Sequence, residues 1–538
     1  MPLAQTGLLL ALAQGAVAAP PPTPLILDRG RADRVAPAAP PAATVPPAAL
    51  PGDGIARVAA PAAAAATIRA IDYGIAEVPP AVTAAGAGFV GRPADGATLR
   101  ALAQAVSTAF STAGRALTTV AIPAQSLAGG RLRLSIAEGS VEAVEFPAGS
   151  NALLRAYGEH LIAERPLTSA TFQRYLALMR DMPGMALTIT TRAGRTPGGI
   201  VLVVQAKQDH LEAALGFDNR GTRLLGDGQA SAQVHGNSLL RPGDRTDIVA
   251  LAGSKPGRLL YGQIAHSTPI GGDGARATAS IGRIRTRQRG SPVTGTALTA
   301  SLGATKPLIR GPKRNLTLTV SLDVLDSDAA AFGLMLSRDH TRALRIAAGH
   351  VEIAGHTVVT ASGTVSRGLD ILGARGMADY TDLVFTKANG RVTIDRRFGQ
   401  FSLRARAAGQ WSEDRLAAAE RFAVGGADFG RGFHQATLSG DRGFAGLAEI
   451  GWRPVARGAF AASELYAFVD GAQVTIEGRG PFATATYDLA SAGAGVRLAM
   501  GRRAWLELEA ARPIDDPWPG WPGGDWRFNI GWRLSLQE

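Results

Sequence analysis

Arg431 sits between two glycines in FAVGGADFGRGF, residues 422–433, and of all the charged residues in this chain it is the best placed to make one strong, directed electrostatic contact. Glycines disfavour a regular strand or helix there, so the backbone can fold sharply inward and carry Arg431 where a surface loop would not reach. A partner for it lies downstream in LYAFVDGAQV, residues 465–474. There, period-two alternation sets Glu464, Tyr466, Phe468 and Asp470 on one face and Leu465, Ala467 and Val469 on the other. An acid on the polar face is a natural counter-ion for a buried guanidinium, which makes Arg431 and Asp470 the expected pair.

Other chemistries find less support. The glycines from Gly425 to Gly432 lack the Lys-Ser/Thr that cradles a nucleotide phosphate. His350 and His356 stand six apart across an expected hairpin, a spacing that fits no zinc signature, and Asp323, Asp326 and Asp328 lack the glycine and distal glutamate of a calcium loop and read as loop residues in water. No G-x-S-x-G or Ser/His/Asp spacing stands out. We therefore expect no catalytic residues, no metal and no cofactor, and not an enzyme.

The residues around Arg431 resemble the motifs of outer-membrane translocators that carry polypeptide-transport-associated (POTRA) domains, and in particular the two-partner secretion translocators of the haemolysin secretion/activation family. Gly430, Arg431, Gly432 and Phe433 match that family's inward loop tip, and Phe468-x-Asp470 matches its inward-facing strand; Ala472 after Gly471 adds no further signature. The resemblance implies that the loop tip pairs with the strand inside a β-barrel and controls secretion.

The chain is long enough, at 538 residues, for several structural units. Its net charge of +12 (56 basic minus 44 acidic residues) is scattered singly along alternating segments, a pattern of polar lumen and loops that argues against nucleic acid. With 0 cysteines there are no disulfides and no thiol chemistry. Residues 1–18 are expected to be a signal peptide, with the apolar run GLLLALAQGAVAA (7–19) too short to span a bilayer, although no Lys or Arg precedes it. Residues 19–65 form a Pro/Ala-rich linker enclosing PLILDRGRADRVAP, whose Asp28, Arg29, Arg31 and Arg34 occupy the place where the resembled translocators carry a pore plug.

Two passages further on repeat. TIRAIDY (67–73) and SVEAVEF (140–146) share one pattern at an offset of 73 (140 minus 67), and each precedes two helical stretches and a pair of strands. The expectation is an α+β POTRA domain at 66–139 and a second at 140–207, with Met185, Leu187 and Ile189 on a strand offered to a partner. From 208 to 538, helix periodicity gives way to period-two alternation. NLTLTVSLDV sets Leu316, Leu318, Val320, Leu322 and Val324 against Thr317, Thr319, Ser321 and Asp323; AWLELEA sets Leu506 and Leu508 against Glu507 and Glu509. About 16 such segments, from 210–218 to 525–537, predict a transmembrane antiparallel β-barrel. The longest connection, 412–442, lies between the eleventh and twelfth segments and contains Arg431.

The resemblance then implies an outer-membrane pore, with its N-terminal domains in the periplasm, that exports a large secreted exoprotein of adhesin or haemolysin type. Its further partners would be outer-membrane lipid and the barrel-assembly machinery. A barrel-assembly insertase with more repeats and a passive diffusion porin are the alternatives.

Overall fold

In a computed structural model, residues 57–58 and 66–536 are described, apart from 128, 223–224, 333, 456–457, 502, 519–520 and 522–523. The expected signal peptide and the plug segment with Asp28, Arg29, Arg31 and Arg34 lie outside the described residues. The chain divides into two compact units.

The N-terminal unit contains two similar α+β modules. In the second, helices Ala152–Ala163 and Ser169–Arg180 cover a three-stranded sheet in which Gly199–Gln208 is central, parallel to Ser140–Glu145 and antiparallel to Met185–Ala193. Asn151 and Thr168 start these helices by accepting the N–H of Leu154 and Thr171. In the first module, helices Pro80–Ala87 and Gly96–Thr112 repeat the arrangement, the longer one capped by Asp95 on the N–H of Thr98. Residues 131–137 form two short strands. Arg131–Arg133 pairs with Ala70–Asp72, whereas Ser135–Ala137 pairs with Thr119–Ile122, and Leu132 and Leu134 are both buried in the module's core. Within the expected linker, Arg57–Val58 adds in parallel to Thr119–Ile122. Each module has its own core, one built on Leu99, Leu102, Val106 and Phe110, the other on Leu154, Leu161, Leu178 and Met179. The turn at 194–196 is tied back to Glu142, whose carboxylate accepts the Thr196 hydroxyl and the N–H groups of Arg195 (2.8 Å) and Thr196 (2.7 Å); these bonds hold its pKa down at about 2.

In the second unit, sixteen strands among the described residues, from Leu211–Asp218 to Arg527–Ser535, close into one barrel. Closure runs from Gly531↔Asp218 to Ser535↔Ala214, so the sheet has no free edge. The strands are inside-out relative to a soluble core. Leu302, Ile346, Val365 and Phe528 face outward and are 64%, 52%, 57% and 71% exposed, whereas Arg345, Glu449, Asp470, Glu509 and Asn529 are buried within. That inversion is the signature of a lipid-facing barrel. Among the described residues no helix is long and apolar enough to cross a membrane. Connections are short at the end where the first strand begins, as at 271–274, 355–356 and 399–400, and long at the other, as at 369–385 and 412–441.

Strands Arg314–Ala331 and Leu334–Ala354 are long, and the first runs well past Val324, where NLTLTVSLDV ends. Asp323, Asp326 and Asp328 consequently belong to a strand, which corrects their reading as loop residues. Asp323 is buried against Arg345 (2.5 Å), Asp326 meets Arg342 (2.6 Å), and Asp328 meets His340 (3.1 Å). An acidic, alanine-rich run hides its period because its counter-ions lie on another strand.

Candidate functional site

Residues 412–441 leave strand Phe401–Trp411 and fold into the barrel before rejoining strand Arg442–Trp452. A short hairpin, Phe422–Val424 with Leu438–Gly440, forms the stem. Beyond it the backbone turns with Gly430 at φ +74°, and the N–H of Phe433 returns to the carbonyl of Gly430 (2.9 Å). At Gly432 a Cβ atom would come within 2.8 Å of the Pro513 nitrogen and 3.0 Å of Ser491 Cβ, so only a glycine lets the loop lie against the wall. Phe429 and Phe433 pack with Phe422, Val424, Leu438 and Leu489 in an apolar cluster, and Trp521 tilts against Phe433 at 6.4 Å between ring centres.

This fold delivers Arg431 to the wall with 3% of its surface exposed. The sequence led us to expect an ion pair between Arg431 and Asp470. The geometry differs: Asp470 accepts the backbone N–H of Arg431 (3.1 Å) and the Ser491 hydroxyl (2.5 Å), and that same hydroxyl oxygen accepts the N–H of Gly432 (3.1 Å). Asp470 therefore holds the loop's backbone, not its charge. The guanidinium instead pairs with Glu449 (2.9 Å) and Glu509 (3.2 Å) and lies over the Phe468 ring at 4.5 Å, while the backbone carbonyl of Arg431 accepts from the Asn529 amide (3.3 Å). The sequence did not point to Glu449 or Glu509 because both sit on other strands, and only closure of the barrel brings them to the same place.

Around Arg431 the charges balance. Arg497 joins Glu449 (2.6 Å), Glu464 (3.2 Å) and Glu507 (3.1 Å); Arg404 joins Glu449 (2.6 Å); Arg220 joins Glu507 (3.2 Å) and Glu509 (3.0 Å). The Tyr466 hydroxyl lies 2.9 Å from both Glu507 and Glu509, and Arg497 stacks on its ring at 3.7 Å. Four arginines thus meet four glutamates, the arrangement that makes buried charge tolerable. The rings of Tyr466 and Phe468 lie over Gly495 and Gly493, where a Cβ would come within 2.6 Å and 2.8 Å of ring carbons.

Residues 198–498 match the family model of the haemolysin secretion/activation protein ShlB/FhaC/HecB. The chain belongs to this family. A haemolysin secretion/activation protein is a two-partner secretion transporter of the outer membrane, which accords with the lipid-facing barrel. No curated protein matches the chain significantly. Among solved structures, CdiB from Escherichia coli is similar at a TM-score of 0.72 with 18% identity, over 100% of this chain and 99% of that one. CdiB from Acinetobacter baumannii follows at 0.64 with 17% identity, over 88% and 90%. BamA from Haemophilus ducreyi lacking POTRA domains 1–3 reaches 0.52 with 11% identity, over 87% and 100%. At these identities the likeness is one of fold.

In this secretion/activation protein the loop is also fastened at its root, through residues the sequence did not single out. Glu420, 1% exposed, takes Lys387 (2.6 Å) and Arg345 (2.8 Å), and the Lys387 ammonium also donates to the Glu420 carbonyl (3.1 Å). Asp441, fully buried, accepts the N–H groups of Leu416 (2.8 Å) and Glu477 (2.8 Å) and the guanidinium of Arg479. Glu420→Ala removes the carboxylate shared by two buried cations, and we expect a loss of about 3–5 kcal/mol, the usual cost of breaking a buried pair. The heat-modifiable barrel band should convert at a lower temperature, and protease should cut within 412–441; unchanged conversion and protection would refute the fastening.

Met185, Leu187 and Ile189, expected on a strand offered to a partner, lie on Met185–Ala193 with their side chains turned to the module. Ile189 is buried in the second module's core, and Met185 and Leu187 pack against it. What their strand leaves open is its backbone edge, since Met185–Ala193 is outermost in its sheet.

Proposed function

We propose that the chain recognises an unfolded partner exoprotein in the periplasm and passes it through the barrel to the cell surface without nucleotide hydrolysis. The observation that carries this reading is the loop at 412–441, folded into the barrel and docked through Arg431 on Glu449 and Glu509. A barrel of sixteen strands is wide enough for a water-filled channel, and a loop that fills the lumen gives the channel something to move aside. In this reading Gly430, Arg431, Gly432, Phe433, Phe468 and Asp470 are the docking elements of a gate.

The domains at 66–139 and 140–207 would stand in the periplasm. A client segment in extended form would add to the open edge of Met185–Ala193 through main-chain hydrogen bonds, which give affinity without demanding one side-chain sequence. The segment with Asp28, Arg29, Arg31 and Arg34 would plug the pore at rest. Folding of the client outside would supply the drive.

The test is co-expression with a large secreted β-repeat exoprotein as client. The client should become accessible to external protease only in cells that carry this chain; surface exposure without it would refute the reading.

A further inference from the structure

Strand Ala275–Arg287 runs out into GRIRTRQRG, residues 282–290, of which 282–287 are in the strand, with an arginine at every second position from Arg283 to Arg289. Successive side chains alternate across a strand, so Arg283, Arg285 and Arg287 share one face. That face is the outer one. Ile281, two residues before Arg283, is 51% exposed on the apolar exterior, while the intervening Ile284 is 8% exposed and packs inside with Leu251, Leu259 and Tyr261. All three arginines are exposed. Leu260 lies beside Arg285 and Leu298 beside Arg283 on the flanking strands, and both leucines are exposed, at 58% and 38%.

The outward positions of this strand thus change from alanine and isoleucine, at 275–281, to arginine alone. A charged side chain on the lipid face costs about 2–4 kcal/mol at the bilayer midplane and about 0–1 near the interface, so the change marks where hydrocarbon ends. It occurs at the end of the barrel with long connections, because the strand runs in the same sense as the first. Neither flanking strand, Leu259–Ile270 or Val293–Arg310, contains an aspartate or glutamate, and among the described residues none of the three guanidinium groups has an ion-pair partner. Three unneutralised forks, spaced over roughly 13 Å of strand, meet the layer where lipid headgroups lie.

We propose that Arg283, Arg285 and Arg287 form a binding site for the phosphorylated headgroup of an anionic lipid in the cell-surface leaflet, with Leu260 and Leu298 against its acyl chains. Guanidinium groups match phosphate oxygens in a bidentate fashion, and three in a row suit a headgroup carrying more than one phosphate. The membrane orientation rests on the transport reading; the positions and lack of partners of the arginines do not.

The test uses the full chain in detergent, incubated with a diphosphorylated lipid A, with its dephosphorylated counterpart, and with phosphatidylcholine, and read by native mass spectrometry. The wild type should retain the diphosphorylated lipid, and Arg283→Gln/Arg285→Gln/Arg287→Gln should retain it about tenfold less, the factor that ~1.4 kcal/mol represents. Arg396→Gln, at an exposed position near the other end of the barrel, should bind as the wild type does. Equal retention by the triple variant, or equal binding of the dephosphorylated lipid by the wild type, overturns the site. Heat-modifiability of each variant confirms that it is folded. Export of the client, assayed in parallel, reports on the transport reading alone: lipid retention with no export in the wild type would overturn that reading and leave the site standing.

Discussion

Arg431→Ala should lower client export by at least about tenfold, equivalent to ~1.4 kcal/mol, while the barrel still folds. The wall explains why these two effects separate. Glu449 keeps Arg497 and Arg404 when Arg431 is lost, and Glu509 keeps Arg220, Asn529 and Tyr466, so no carboxylate is stranded in the lumen. The loop, however, loses its guanidinium hold on Glu449 and Glu509, and its tip keeps the backbone contacts to Asp470, Ser491 and Asn529 and the pairing of Asp428 with Arg391. Single-channel recordings should accordingly show a larger or noisier conductance for the variant. The exchange Arg431→Asp with Asp470→Arg discriminates further. Were the two an ion pair, the exchange would restore function; here it sets an aspartate against Glu449 and Glu509, and export should stay low. Recovery by the exchange would overturn the geometry described above.

Removing residues 66–207 should abolish export and leave a folded barrel. The cores are the reason. The two apolar clusters of the N-terminal modules draw only on residues up to Ala206, whereas the clusters of the barrel draw only on residues from Leu225 onward. The sixteen-strand ladder likewise begins at Leu211. Surface detection of the client together with the heat-modifiable band checks both halves; continued export by the truncated chain would remove the recognition role from these modules, and an unfolded barrel would show that the cores are not independent.

The barrel was legible because period-two alternation is a local property. NLTLTVSLDV and AWLELEA state their faces without reference to any other segment, and both lie within strands, Arg314–Ala331 and Ala504–Asp515. The helices were legible for the same reason, through apolar stripes and through caps such as Asn151. Counter-ions were not. Glu420 meets Arg345 across 75 positions of sequence and Arg431 meets Glu509 across 78, and which inward-facing acid lies opposite which arginine depends on strand tilt and closure. Asp470 was found but assigned the wrong atom of its partner, since alternation reveals the face on which a carboxylate lies and not whether it meets a guanidinium or an amide. The alternating arginines at 283–289 were visible as letters, yet their meaning depends on which side of the wall is outer.

Gly493 and Gly495 narrow what evolution can do with this sector. Each lies beneath an aromatic ring that also touches an arginine of the lumen, Phe468 under Arg431 and Tyr466 under Arg497. A methyl group at either site would lift a ring and, through it, shift a cation that several carboxylates share. The two positions should be the most mutationally intolerant of their strand although they carry no functional group, and drift elsewhere in the lumen would have to proceed around them.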